Sequence, residues 1–450
     1  MLIADHYPPI YLGGGETHLE SLAINLQERG YEVIVFTLAH AGLRNFEVKK
    51  GIDVYRYGGL YQKISFLFGN PSIRLHPPIG DPLIMRRLKD LVKKERPDVL
   101  HVHSSGGWII YSVLPLKEKL GIPVVVTLHN FGLLCPVLTL TKDEKQCQDI
   151  LTNKCISCGR QVYGNKSFLV YALLRLNRSQ LKRVDRFIAI NPYQKKIFVG
   201  ETGLQDASVV VIPNGIDITE FSSSELLEEK TVTRARIKEL EQLGVDPRAK
   251  KIVHISSLNA NKLGAIEGLI NAAPIIVEKF PHTQILMVGD GPLIDYVKQL
   301  AKNINERLGK SVIVITGFVK NNEMPRIMMY ADIIVGVGRV ALEGMACGKP
   351  VVIAGTSVGP YGGNYGGIVS ELTVNELSTH NFSGRNSHDT TSPEKIANDC
   401  IQLLNDERYR SILGRFGREY VERQHDMKEV VQKVDETYRS VILGSNPRKH

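Results

Sequence analysis

The sequence predicts two doubly wound α/β domains. Three observations carry this expectation. Strand-length apolar runs alternate with helix-length amphipathic stretches, the rhythm restarts near residue 209, and glycines stand just after several of the runs. In the first half Val33–Phe36, Val99–His103, Val124–Thr127 and Phe187–Ile190 read as buried strands. In the second half Val209–Ile212, Ile252–Ile255, Ile285–Val288, Val312–Ile315, Ile333–Val335 and Val351–Ile353 do the same. Segments 17–30, 83–95, 264–279 and 293–307 have helical length and patterning. Such alternation makes βαβ units, whose parallel sheets are covered on both faces. This many strands exceeds one ordinary open sheet. The expected domains are 1–195 and 196–393, joined near 191–208. Residues 394–450 are helical in pattern, too long for a last crossover, and expected to cross back to the first domain.

The chain has 450 residues, with 56 Lys plus Arg against 47 Asp plus Glu, a formal charge of +9. That charge is uneven. Residues 1–195 hold 26 basic and 16 acidic side chains (26 − 16 = +10), and the remainder holds 30 and 31 (30 − 31 = −1). The 43% hydrophobic fraction suffices for large cores and excludes global disorder. No apolar run reaches the roughly 18 residues of a membrane-spanning helix. Met1–His6 lacks the basic and apolar regions of a signal peptide, so the expected location is the cytoplasm.

Ligands of doubly wound sheets bind beyond the carboxyl ends of strands, at the point where strand order reverses. Gly13-Gly14-Gly15 follows the first strand, Gly289-Asp290-Gly291-Pro292 follows 285–288, and Gly336 and Gly338 follow 333–335. Each glycine alone could serve as a turn. Together, in register with the strands, they favour a phosphate-bearing ligand held by backbone N–H groups and helix N-termini. A convincing dinucleotide fingerprint and a P-loop signature are both missing, which argues against a nicotinamide dehydrogenase and a P-loop NTPase.

Residues 331–353, Ala-Asp-Ile-Ile-Val-Gly-Val-Gly-Arg-Val-Ala-Leu-Glu-Gly-Met-Ala-Cys-Gly-Lys-Pro-Val-Val-Ile, closely resemble the donor-binding segment of family 4 retaining glycosyltransferases of GT-B fold. Other matching pieces come in the family's order. They are Gly13-Gly14-Gly15-Glu16, Asp98–His103, Thr127-Leu128-His129, Ile212–Asp217, Lys262, Gly289–Pro292 and Gly317. The resemblance spans nearly the whole chain. It implies two Rossmann-like domains facing across a cleft, the first for the acceptor and the second for the donor. It implies a hexosyltransferase-type reaction, with retention at the anomeric carbon and without a catalytic cofactor or metal. The donor substrate would be a UDP-, GDP- or ADP-sugar. The missing Asp-x-Asp motif agrees with metal-independent GT-B chemistry.

The implied chemistry makes sense of particular residues. Charge builds on the departing diphosphate and must meet cations and N–H donors. Lys262 is the cation candidate, and the backbone from Gly338 through Arg339 and Val340 to Leu342 can offer N–H groups. Glu343 holds the position whose carboxylate clamps the donor ribose in the family. His129 matches the histidine that faces the transferred sugar. Gly14, Gly15, Ser257, Gly289, Asp290 and Gly291 complete the expected donor contacts. Two departures stand out. Val335 occupies the position of the family's earlier Glu, and Ser256-Ser257-Leu258 stands where Gly-Arg-Leu is usual. Losing that Arg removes a charge-assisted bond of roughly 1.5–3 kcal/mol; Arg339 is the expected substitute. The departures leave a non-catalytic nucleotide-sugar-binding or glycan-assembly protein as an alternative, with a nucleotide-sugar epimerase of the same fold behind it.

Four cysteines, Cys135, Cys147, Cys155 and Cys158, fall in the segment 130–165, which reads as an insertion. Cys155-Ile-Ser-Cys158 has thiolate metal-knuckle spacing, and some family members carry a similar insertion. A structural zinc is one reading; an iron–sulfur cluster, disulfides and free thiols are the others. Cys347 and Cys400 read as small buried residues. The stretch 163–186 interleaves apolar side chains with six cations and one acid, and a second basic run spans Arg86 to Arg96. These are either solvated helices or an interfacial surface. No nucleic-acid-binding motif accompanies them. The expected partners are therefore a nucleotide-sugar, a glycan or lipid-linked acceptor, and an anionic membrane surface met through the first domain on its inner face. Cell-surface polysaccharide, lipopolysaccharide or glycolipid synthesis is the expected setting.

Overall fold

The computed structural model describes residues 1–11, 13–63, 78–104, 108–142, 145–221, 238, 241–242 and 244–444. Parts of the expected insertion (143–144), of the second domain (222–237, 239–240 and 243) and of the C-terminal segment (445–450) lie outside them. The chain divides into two compact units. The first comprises Met1–Lys142, Cys147–Gly215 and the chain from Met427 onward; the second comprises Ile216–Asp426.

The first unit is built from β1 (Leu2–Ala4), α1 (Gly14–Glu28), β2 (Ile34–Leu38), β3 (Phe46–Lys49), β4 (Ile52–Tyr57), α2 (Pro82–Glu95), β5 (Leu100–Ser104), α3 (Ile110–Leu120), β6 (Val124–Leu128), α4 (Lys154–Tyr163), α5 (Ser167–Asn177), β7 (Arg186–Ala189), α6 (Pro192–Thr202) and β8 (Val209–Val211). Among the described residues its sheet has the order β8-β7-β6-β5-β1-β2-β4-β3. All neighbours pair in parallel except β3 and β4. Alternation along each strand sends side chains to two cores. Ile3, Ile34, Phe36 and Leu38 join one core, and Leu2, Ala4 and Val35 join the other. The helix Met427–Gly444 closes the second core with Val430, Val431, Val434 and Tyr438.

Two boundaries differ from the sequence expectation. The second domain is expected from residue 196 with Val209–Ile212 as its first strand, whereas the first unit runs to Gly215 and Val209–Val211 is the edge strand β8 of its sheet, paired in parallel with β7. Its apolar run looks like any central strand, and only its partner assigns it. The C-terminal stretch is also shared. The helices Pro393–Asn405 and Glu407–Gln424 belong to the second unit, and Met427–Gly444 belongs to the first.

The second unit contains β9 (Lys250–Ile255), α7 (Leu263–Lys279), β10 (Thr283–Val288), α8 (Ile294–Leu308), β11 (Ile313–Gly317), β12 (Ile333–Gly336), α9 (Arg339–Ala346), β13 (Val351–Ala354) and β14 (Tyr365–Ile368). The described strands run β11-β10-β9-β12-β13-β14, parallel except for the last pair. The core strands are buried on both faces, which explains their unbroken Val/Ile/Leu runs. Strand order reverses between β1 and β5 in the first unit and between β9 and β12 in the second. The loops leaving those strands are where ligands of such sheets bind.

Candidate active site in two half-sites

In the first unit the reversal point gathers histidines. β5 carries His101 and His103, both fully buried, and His129 stands just past the end of β6. His103 Nδ1 lies 3.0 Å from His129 Nε2, and the two rings stack with centroids 5.2 Å apart. The His101 ring lies tilted against His103 with centroids 4.2 Å apart, and its nitrogens engage the Tyr438 hydroxyl at 2.6 Å and Thr127 Oγ1 at 2.7 Å. His18 of α1 packs edge-on to His129 with centroids 5.6 Å apart, and its Nδ1 accepts from the Gly215 N–H at 3.2 Å. Burial holds His129 down to about 4 and His101 to about 3, and keeps His103 well below the ordinary imidazole range. These three rings are therefore neutral near pH 7. His129 Nδ1 is buried without a hydrogen-bond partner.

The glycine loop meets this stack directly. Gly14 and Gly15 open α1, and Glu16 accepts from the Gly13 N–H at 2.9 Å. A Cβ on Gly15 would sit 3.3 Å from His129 Cγ. The glycine at this position lets the helix start approach the histidine closely.

In the second unit the loops after β9, β10 and β12 interlock. Gly289 has φ +140°, and a Cβ there would lie 1.9 Å from the Ser256 carbonyl oxygen; at Gly291, φ +157°, it would lie 2.5 Å from the Leu258 oxygen. The Leu258 N–H donates to the Asp290 carbonyl at 3.0 Å, and Asp290 Oδ1 accepts from the Gly291 N–H at 2.7 Å. Asp290 is therefore a loop former with an exposed side chain. Ser257 is exposed and accepts from Asn259 Nδ2 at 2.9 Å. Lys262 closes the short turn that leads into α7. Burial lowers its ammonium's pKa, and the nearby Arg385 lowers it further.

Helix α9 begins at Gly338, whose φ of +61° suits glycine and whose N–H donates to the Phe382 carbonyl at 3.0 Å. Phe382 is three residues before Arg385, so this bond ties the α9 start to the segment carrying the second cation. The first N–H groups of a helix lack intrahelical acceptors. Arg339 and Val340 open the helix, and Val340 packs against Gly336. Arg339 Nε donates to Glu343 Oε1 at 2.6 Å, with both side chains only 13% exposed. Burial raises the Glu343 pKa while Arg339 pulls it back. Arg339, the expected substitute phosphate ligand, is thus engaged with the carboxylate of the expected ribose clamp.

Both departures from the family pattern meet at one residue. Val335 is fully buried in the core. Its carbonyl accepts from His254 Nδ1 at 2.9 Å, and His254 Nε2 pairs with Ser256 Oγ at 2.9 Å. A carbonyl can only accept, so Nδ1 carries the proton and Ser256 donates to Nε2. Burial keeps His254 down to about 4, which preserves this neutral form at pH 7.

The four clustered cysteines do not form a metal cage in this structure. Among the described residues no group of three or more His, Cys, Asp and Glu is placed to hold a metal ion, and no disulfide joins the cysteines. Cys155 is buried, with its Sγ 3.5 Å from the Asp149 carbonyl, and burial with the Cys135 and Cys147 thiols pushes its pKa up to about 11. Hydrogen bonds order the insertion instead: Trp108 Nε1 donates to the Gly132 carbonyl at 3.1 Å, and the Tyr163 hydroxyl donates to that of Pro136 at 3.1 Å. His18, His254 and Arg385 belong to no motif read from the sequence. The first two stand at helical and strand positions that ordinary core histidines also occupy, and the third is in a loop.

Residues 12–220 match the family model Glycosyltransferase Family 4, and residues 249–406 match that of Glycosyl transferases group 1. The chain belongs to glycosyltransferase family 4. This glycosyltransferase is 24% identical to an uncharacterized glycosyltransferase of Methanocaldococcus jannaschii, covering 97% of each chain. It is also 24% identical to the N-acetyl-alpha-D-glucosaminyl L-malate synthase of Bacillus anthracis, covering 97% of this chain and 96% of that one. The solved structure of Anabaena HepE in complex with UDP aligns with a TM-score of 0.62 at 18% identity, over 98% of this chain and 99% of that one. The glycosyltransferase therefore has the GT-B fold.

Proposed function

We propose that this glycosyltransferase moves a hexosyl group from a nucleotide-sugar to a glycan or lipid-linked acceptor, with retention at the anomeric carbon and without a metal ion. The reading rests chiefly on the loops that interlock at the strand-order reversal of the second unit, where Lys262 closes the turn into α7 and the Gly338 N–H ties the α9 start to Phe382. Burial, and then the charge of Arg385, make the Lys262 ammonium costly to keep. A diphosphate offsets that cost, and its charge grows as the glycosidic bond breaks, so the interaction strengthens toward the transition state. The N–H groups of the α9 first turn supply further donors. Glu343, oriented by Arg339, is the proposed ribose ligand, and Gly289 and Gly291 keep the intervening loop close. Neutral His129, with Gly14 and Gly15 beside it, is the proposed acceptor-side group. The +10 of residues 1–195 favours an anionic acceptor and a peripheral position on the inner membrane surface.

The core valine at position 335 supports a second reading, a non-catalytic nucleotide-sugar-binding or glycan-assembly protein. Screening UDP-, GDP- and ADP-sugars for nucleotide release, with and without a membrane lipid and glycan extract, separates the two. Acceptor-dependent release giving a product with the donor's anomeric configuration supports transfer with retention. An inverted product overturns retention, and donor binding without transfer to any fraction supports the second reading.

A further inference from the structure

Helix α5 (Ser167–Asn177) reverses the usual relation between burial and polarity. Its buried positions are Ser167, Val170, Tyr171, Leu174 and Asn177. Its solvent-facing arc holds Phe168, Leu169, Ala172, Leu173 and Leu176, with Arg175 at one border. At 100° per residue these five apolar positions span about 140° of one face. Phe168 is 63% exposed, Leu169 48% and Leu176 71%. The contrast with α2 is sharp, since α2 turns Arg86, Arg87, Asp90, Lys93 and Lys94 outward. A contiguous apolar face turned to solvent marks a surface for a membrane or a partner.

The surrounding charge says what covers this face. Between Asp149 and Asp185 the chain carries Lys154, Arg160, Lys166, Arg175, Arg178, Lys182 and Arg183, and no acid. Lys166 precedes the helix directly, while Arg178, Lys182 and Arg183 follow it. Leucines and a phenylalanine bordered by cations match the two layers of an anionic bilayer, with acyl chains below and phosphates above. We infer that the outward face of α5 docks the protein on an anionic lipid surface, with Phe168, Leu169 and Leu176 entering the acyl boundary. Lys154 and Arg183 are held by Asp149 and Glu118, so the cations assigned to phosphates are Lys166, Arg178 and Lys182 at the two ends of the helix, an arrangement that a protein partner or a second copy would not require. This docking rests on the peripheral membrane position proposed above and names the face that makes it, while its test needs neither donor nor acceptor.

The test is sedimentation of the full chain with vesicles of phosphatidylcholine alone or equimolar with phosphatidylglycerol. Wild type is expected to sediment with the mixed vesicles and not the neutral ones. The double variant F168Q/L176Q should bind at least about tenfold more weakly, since those side chains supply the buried apolar area. F318Q, altered at a residue 73% exposed in the second unit, should bind as wild type. R178Q/K182Q gives a second arm that leaves the apolar face intact, and it should lose the preference for phosphatidylglycerol. Equal binding by F168Q/L176Q and wild type overturns the inference. So does equal wild-type binding to neutral vesicles, or to neither kind. A wild-type dimer in sedimentation velocity that F168Q/L176Q converts to monomer also overturns it, because a second copy would then cover the face.

Discussion

His103 Nδ1 and His129 Nε2 face each other across 3.0 Å, sharing one proton between two buried rings. Both rings are held neutral by burial. In the unfolded chain they regain the ordinary imidazole pKa of about 6.5. Below that value the unfolded chain binds protons that the folded chain refuses, so stability falls as pH falls. For His129 the window runs from 6.5 down to about 4, with a slope of up to about 1.4 kcal/mol per pH unit for each such group. Urea unfolding between neutral pH and about pH 5 should show this decline. His129→Asn should make it shallower by roughly one proton, and an unchanged slope would show that His129 is protonated in the fold.

Arg339 and Glu343 form one unit. Arg339→Ala removes the cation beside a buried carboxylate, so Glu343 loses its orientation and part of its charge. Affinity for the donor nucleotide should fall by about 1.5–3 kcal/mol, or roughly 10- to 150-fold. Calorimetric titration with UDP, GDP and ADP measures this. Unchanged affinity for the nucleotide that wild type prefers would remove both residues from the site.

Lys262 and Arg385 predict an opposite sign for stability and binding. Lys262→Met removes a charge from a repulsive pair, so the unliganded protein should melt no lower than wild type. Nucleoside diphosphate binding should nevertheless weaken by at least about tenfold, the loss of one charge-assisted contact. Thermal melting with and without nucleotide reads both effects. A lower melting point with intact binding would make Lys262 structural.

Gly289 and Gly15 separate fold from site. Gly289→Ala drives a Cβ toward the Ser256 carbonyl, and neither backbone can yield. It should cost about 2–4 kcal/mol of stability. Gly15→Ala meets the His129 ring at a distance a small shift can relieve. It should leave melting nearly unchanged and reduce turnover, whereas Gly13→Ala, which meets nothing within 4 Å, should be silent. A large loss of stability in Gly15→Ala would contradict this division.

The central parallel strands were legible because burial on both faces writes them as unbroken apolar runs. β4 was not, since Ile52-Asp53-Val54-Tyr55-Arg56-Tyr57 alternates buried and half-buried positions. β8 was legible as a strand but not as a member of the first sheet, because pairing partners leave no mark on a three-valine run. At the site, the glycines were visible through their spacing from strands. His18 was hidden as a lone histidine on α1, and Arg385 lies in a loop whose place near the site is set by the Gly338–Phe382 hydrogen bond three residues before it. The cysteine spacing suggested a cage, and among the described residues no group of three or more metal-binding side chains assembles.

The helix Met427–Gly444 has a consequence for how the molecule is made. The chain leaves the first unit at Gly215 and returns to it at Met427. Tyr438 then caps His101, and Val430, Val431 and Val434 cover the β1 and β2 face. During synthesis the first sheet must therefore wait, with that face uncovered, while the whole second unit is translated. Order of manufacture and order of completion are inverted: the unit begun first is finished last, and its histidine stack becomes fully enclosed only when the closing helix emerges.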